Sequence, residues 1–186
     1  MAVRLAWRVI PDGMPRRTVA WELLASLLPD TARLSNPCPR CGGPHGPVRI
    51  EGAASVASVS YAGDVAVVAV ADASEFERVG VDAEPESHPQ RDAAGLQGVL
   101  GAGEASLRSW TRVEAALKAD GRGLRVDPAS VIVRGTSAGW IAEVPDGGAF
   151  EGFDADGPEG VLVSVAVRRI STTAGVAAAA SRTATT

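Results

Sequence analysis

The sequence predicts an α+β protein built from two similar halves. Two stretches repeat their apolar residues at the helical spacing of three and four, one through Val19, Ala20, Leu23, Leu24, Leu27 and Leu28 and one through Trp110, Val113 and Leu117. Two runs of almost unbroken Val and Ala, at 65–71 and 161–167, each close a series of a helix followed by strands. A polar, Gly-rich connection over 86–103 separates the two series near the midpoint. This weak internal repeat predicts a pseudo-dimer of two α+β units, residues 1–90 and 91–170, with the active site in the cleft between them. A tail over 171–186, made of Ala, Thr and Ser without a core-forming pattern, is expected to be disordered.

Taken in order, residues 3–10 alternate loosely and stop at Pro11-Asp12-Gly13, a strand and its turn. The first helix runs from Pro15 to Pro29. Residues 35–48, rich in Pro, Gly and Cys, are expected as loop. Residues 55–71 read as strand, and 65–71 is apolar on both faces and therefore buried on both. A turn over 72–77 leads to a strand at 78–84, expected as the return strand of a hairpin and ended by Pro85. The second helix runs from about Glu104 through Ala119 and stops at Gly121 and Gly123, which suit a left-handed cap. Strands follow at 131–133, 139–144 and 161–167.

The chain has 186 residues, 46% of them hydrophobic and 22% charged, enough for a proper core. Its net charge of −4 supplies no basic footprint, so nucleic acid is not an expected partner. No apolar run approaches a membrane span, and the first eight residues lack the apolar core of a signal peptide, so the expected address is the cytoplasm. Two cysteines, Cys38 and Cys41, are too few and too close for a secreted disulfide framework. With two histidines and no Asp-His relay near Ser60, a serine-hydrolase triad is not expected. Gly101-x-Gly103 lacks the third glycine and downstream acid of a dinucleotide fold.

Lys118 is the only lysine among 18 basic residues; every other one is Arg. Lys is a compact point charge on a thin stem, whereas Arg is a planar fork, so a position that keeps Lys suits a site needing the former. Glu114 precedes it by four residues and shares its helical face. Asp82 and Glu84, two apart on a predicted strand, point to one side. Like charges held together favour a cation, and oxygen-only ligands favour a hard one such as Mg²⁺, which usually takes a few carboxylates plus substrate phosphates. Glu114 would supply a third carboxylate and Lys118 a charge for a phosphate oxygen.

The segment Gly80-Val81-Asp82-Ala83-Glu84 resembles the Gly-Val-Asp-x-Glu signature of the Sfp-type 4′-phosphopantetheinyl transferases. Trp110 to Leu124 resembles their Trp-x-x-Lys-Glu-Ala-x-x-Lys-Ala-x-Gly-x-Gly-Leu signature. The loop Cys38-Pro39-Arg40-Cys41-Gly42-Gly43-Pro44-His45-Gly46 is similar to the Cys-x-x-Cys-Gly-x-x-His-Gly segment of bacterial members, and Ser58 to Gly63 occupies the place of their Ser-His-Ser strand. The resemblance covers roughly residues 15–170. It implies an enzyme that moves the phosphopantetheine arm of coenzyme A onto a serine of an acyl or peptidyl carrier protein and leaves adenosine 3′,5′-bisphosphate. By resemblance, Asp82, Glu84 and Glu114 hold Mg²⁺ and Lys118 neutralises the transferring phosphate; as a carboxylate beside the reacting centre, Glu114 is also the expected base for the carrier serine, directly or through water. Arg16, Arg17, Arg49, Ser60 and Tyr61 are the expected coenzyme A contacts, in a monomer with internal pseudo-twofold symmetry.

The chain departs from that pattern where the family holds coenzyme A. Val113 stands for the Lys before the motif Glu, Tyr61 for the His of the Ser-His-Ser strand, and Ala62 for the Ser after it; no basic residue lies near Ser26 on the first helix. After His45-Gly46 the chain reads Pro47-Val48-Arg49, so Arg49 is the expected substitute for the family's basic residue. The alternative is a member that has lost turnover and acts as a carrier-protein or nucleotide-binding module. Separately, Cys38, Cys41 and His45 stand at plausible zinc spacing, but a structural site closes four ligands and His88 is the only other histidine, so the expectation there is a reduced structural loop.

Overall fold

A computed structural model describes residues 3–87, 96, 99–100 and 105–171. The 86–103 connection lies largely outside these, as do His88, Gly101, Gly103, Glu104 and the tail from residue 172. The described elements are β1 (Arg4–Val9), α1 (Arg16–Leu27), β2 (Arg33–Ser35), β3 (Arg49–Glu51), β4 (Ser55–Ala62), β5 (Val65–Asp72), β6 (Phe76–Pro85), α2 (Leu107–Asp120), β7 (Ile132–Thr136), β8 (Gly139–Val144), β9 (Gly148–Ala155) and β10 (Val161–Arg169). They form a mixed α+β fold with three antiparallel sheets, ordered β1-β5-β4, β6-β10-β9-β8-β7 and β2-β3. No helix among the described residues is long and apolar enough to cross a membrane.

The stretch 55–71 is not one strand but a hairpin. Ala62 faces Val65 across a two-residue turn, and Gly63 takes φ 59°, a left-handed conformation that a tight hairpin turn demands. The expected return strand at 78–84 forms, yet it does not return to β5. Both edges of β5 are already filled, by β1 and β4, so β6 continues into the five-stranded sheet and pairs with β10. By this ladder β6 shares a sheet with β7, β8, β9 and β10, while β1, β4 and β5 form another. A strand not expected from sequence, β9, lies between β8 and β10; its Gly152 leaves room for the Trp140 ring, which lies 2.3 Å from where a Cβ would sit.

Three apolar clusters define four layers. Val65, Val67 and Ala69 of β5 meet Val79 and Val81 of β6 and Val163, Val165 and Val167 of β10, joining the two larger sheets face to face. On the far side of the first sheet, Val19, Ala20, Leu24 and Leu28 pack on Ala66, Val68 and Val70. On the far side of the second, Val113, Ala116 and Leu117 of α2 pack on Trp140, Phe150 and Ala166. Because β5 serves two of these clusters it is buried on both faces, as its composition predicts; each such Val contributes about 1.5–3 kcal/mol.

Where the edges of β4 and β6 meet, side chains replace a main-chain ladder. The Val81 N–H donates to Ser58 Oγ at 3.1 Å and the Ala83 N–H to Ser60 Oγ at 3.2 Å. Without these hydroxyls the outward N–H groups of an edge strand would be buried and unpaired.

Candidate functional site

The site is built where β6 meets α2. Odd residues of β6 enter the core between the sheets, so Gly80, Asp82 and Glu84 face the helix. A Cβ on Gly80 would lie 2.1 Å from the Ala115 carbonyl oxygen and 2.5 Å from the Ala119 nitrogen, so glycine there lets α2 rest directly on the strand. The helix begins at Ser106, whose hydroxyl caps the Ser109 N–H, and ends on Gly121 in the left-handed conformation, as expected.

Along one face of α2, Trp110, Glu114 and Lys118 recur every fourth residue. Trp110 Nε1 donates to Glu84 Oε1 at 3.0 Å, and Lys118 Nζ donates to Asp82 Oδ1 at 2.7 Å. Glu114 therefore lies one turn from each contact. Lys118 also donates to Ser60 Oγ at 2.8 Å, and Ser60 donates in turn to Asp82 Oδ1 at 2.9 Å. Asp82 is 2% exposed and Glu84 7%. Burial of a carboxylate is costly unless charge and hydrogen bonds offset it, and here Lys118 and Ser60 do so for Oδ1 alone. Asp82 Oδ2 is buried with no hydrogen-bond partner. The three acids expected to hold Mg²⁺ thus lie along one strand–helix contact, and the Lys118 ammonium rests on Asp82.

Lys118 also lines a cleft of about 550 Å³ together with Arg16, Arg17, Trp21, Tyr61 and Arg122. The Arg16 guanidinium lies 4.9 Å over the Tyr61 ring. Burial pushes the Tyr61 phenol above its usual range, against the opposing pull of Arg16 and Arg17. Of the five expected cofactor contacts, then, Arg16, Arg17 and Tyr61 share the cleft with Lys118. Arg49 lines an adjoining cleft of about 410 Å³ that also reaches Lys118. Ser60 is buried, and its hydroxyl is committed to Asp82, Lys118 and the Ala83 N–H.

Val113 is 3% exposed and packs within the α2 core. Two polar residues escaped the sequence reading. Arg122, between the two glycines of the motif, lines the cleft but is held by Asp120 at 2.7 and 3.1 Å and by the Pro145 carbonyl at 2.6 Å. Asp154 on β9 accepts from Arg112 at 2.6 Å and from Ser164 at 2.9 Å. Burial would raise its carboxyl, but these hydrogen bonds and the Arg112 and Arg108 charges hold it below the usual range. Asp154 is one of four acids in a Gly-rich segment, with Glu151, Asp156 and Glu159, and nothing in their spacing singles it out.

In the loop between β2 and β3, Cys41 Sγ and His45 Nε2 are 3.1 Å apart. Both cysteines are free, and the Cys38 thiol is pulled down by the backbone N–H groups of Arg40 and Cys41.

No protein-family model matches the chain, and a search of curated proteins returns no match.

Proposed function

We propose that this protein is a magnesium-dependent 4′-phosphopantetheinyl transferase that moves the phosphopantetheine arm of coenzyme A onto a serine of an acyl or peptidyl carrier protein. The observation that carries the reading is the buried acid Asp82, with one unpartnered oxygen, joined to the only lysine at the wall of an arginine-lined cleft. Oxygen-only donors with spare capacity fit a hard divalent ion. Asp82, Glu84 and Glu114 would hold Mg²⁺, which when bound supplies charge neutralisation for a diphosphate.

The chain's own groups then have defined tasks. Arg16 and Arg17 offer charge-assisted donors to the phosphates, and Tyr61 one neutral hydrogen bond where the family's His would offer more. Lys118, already on a carboxylate oxygen, exchanges that partner for a phosphate oxygen. The carrier serine Oγ attacks the phosphorus bearing the pantetheine arm, a new P–O bond forms, and the P–O bond to adenosine 3′,5′-bisphosphate breaks. Glu114, directly or through a water, takes the serine proton. Such phosphoryl transfer is mostly positioning and neutralisation, which these residues supply.

The pseudo-dimer reading is supported by a shared order in both larger sheets: a strand, then a helix, then antiparallel strands, the last of which pairs with the first. β1 pairs with β5 in one unit and β6 with β10 in the other. We assign the molecule as a cytoplasmic monomer whose carrier protein approaches the open rim of the cleft.

The test is intact-mass spectrometry of apo carrier proteins after incubation with coenzyme A and Mg²⁺. The expected result is a gain of one phosphopantetheine arm, lost in Glu114→Gln without loss of the folded state. Coenzyme A binding with no gain on any carrier would instead support the non-catalytic binding module.

A further inference from the structure

We infer that Cys38, Cys41 and His45 form a binding site for a zinc-type divalent ion, with the fourth coordination position open to solvent. The sequence alone argues for a plain reduced loop because a fourth ligand is missing, but the fold brings the three donors together. One ligand atom from each lies within 4.8 Å of the others, and Cys41 Sγ is 3.1 Å from His45 Nε2. With Zn–S near 2.3 Å and Zn–N near 2.0–2.1 Å, a tetrahedral site has ligand separations of roughly 3.6–3.8 Å, inside the 4.8 Å within which all three donor atoms lie. Two thiolates and an imidazole are the donor set of zinc and its softer neighbours, not of Mg²⁺.

The loop is shaped before any ion arrives. Pairing of β2 with β3 fixes its ends. Inside, the Cys38 N–H donates to the Gly43 carbonyl at 2.7 Å, Gly42 N–H to the Cys38 carbonyl at 2.8 Å, and Gly46 N–H to the Asn36 carbonyl at 2.8 Å. Gly46 is required by space, since a Cβ there would lie 2.2 Å from the Pro37 oxygen. A preformed site of this kind gives up little ordering entropy on binding.

The site also adjoins the cleft. His45 lines it, and the neighbouring Pro44 carbonyl accepts from Arg17 at 2.8 Å and from Asn36 at 3.0 Å. An ion held here fixes the wall against which Arg17 is oriented. It does not depend on the transferase reading, because it requires neither coenzyme A nor a carrier protein.

The experiment uses the full chain, reduced, saturated with zinc and then dialysed against metal-free buffer, with metal counted per chain and cobalt used as an optical probe. The expected result is one ion per chain, a thiolate-to-cobalt charge-transfer band, and a melting temperature that rises with zinc and falls with chelator. Cys38→Ser, Cys41→Ser and His45→Ala each lose the ion and the band. They remain folded, since none of the three residues belongs to a core cluster. Two reactive thiols with no bound metal would overturn the site. So would a Cys38–Cys41 disulfide that re-forms in air and excludes metal, or an ion retained by the Cys38→Ser, Cys41→Ser double variant.

Discussion

The two oxygens of Asp82 have different surroundings, and the difference yields a stability test. Oδ1 accepts from Lys118 and Ser60, while Oδ2 is buried without a partner. Lys118→Ala leaves a buried charge with one hydroxyl, and should destabilise by roughly 1–3 kcal/mol, below the full cost of breaking a buried pair because the Lys118 side chain is 28% exposed. Asp82→Asn removes the charge that needed a partner, so chemical denaturation should place it within about 1 kcal/mol of the parent. Equal stability of Lys118→Ala and the parent would show that the pair contributes nothing. Asp154 gives a pH test. Its folded carboxyl titrates below the unfolded value of about 3.9, so its contribution is complete above that value and is lost as pH falls through the folded one. Asp154→Asn should flatten the acid limb of the stability profile, and an unchanged limb would contradict the assignment. At this scale the sequence disclosed Lys118 and the acids through residue type and spacing. It placed Val113 on the core stripe of its helix, but it did not disclose that Ser60 is committed to the seam, because that depends on which strand edge Ser60 meets.

Among the elements, the contact between β6 and α2 is decisive, and Gly80 sets it. Gly80→Ala drives a Cβ into two backbone atoms of the helix, neither of which can rotate away. Overpacking costs typically 1–3 kcal/mol, and the upper end, about 3 kcal/mol, is expected here in thermal or denaturant unfolding. A drop under about 0.5 kcal/mol would mean that the helix does not lie on the strand as described. The helices were legible because each carries a 3.6-residue stripe and a stop signal. The partner of β6 was not, since sequence neighbours usually pair and only the filled edges of β5 exclude that outcome. Likewise β9 carries Gly148 and Gly152, a residue type depleted in strands, and Trp140 needs the space at Gly152.

Across the whole molecule, two sheets joined by one apolar cluster and bridged by Ser58 and Ser60 bring the first helix's arginines and the second helix's lysine to one cleft. That convergence is a property of topology, and no local pattern in residues 15–20 announces it. Asp82 and Glu84 are buried on the strand–helix contact beside that cleft, and Asp82 is paired with the lysine that lines it. The most direct measurement is the mass gained by an apo carrier protein at fixed coenzyme A as magnesium is titrated, with the parent and Asp82→Asn side by side. The account predicts transfer by the parent that starts from none, rises and saturates with magnesium, and no transfer by the equally stable variant. Transfer by Asp82→Asn at the parent's rate, or no mass gain by the parent at any magnesium concentration, would contradict it.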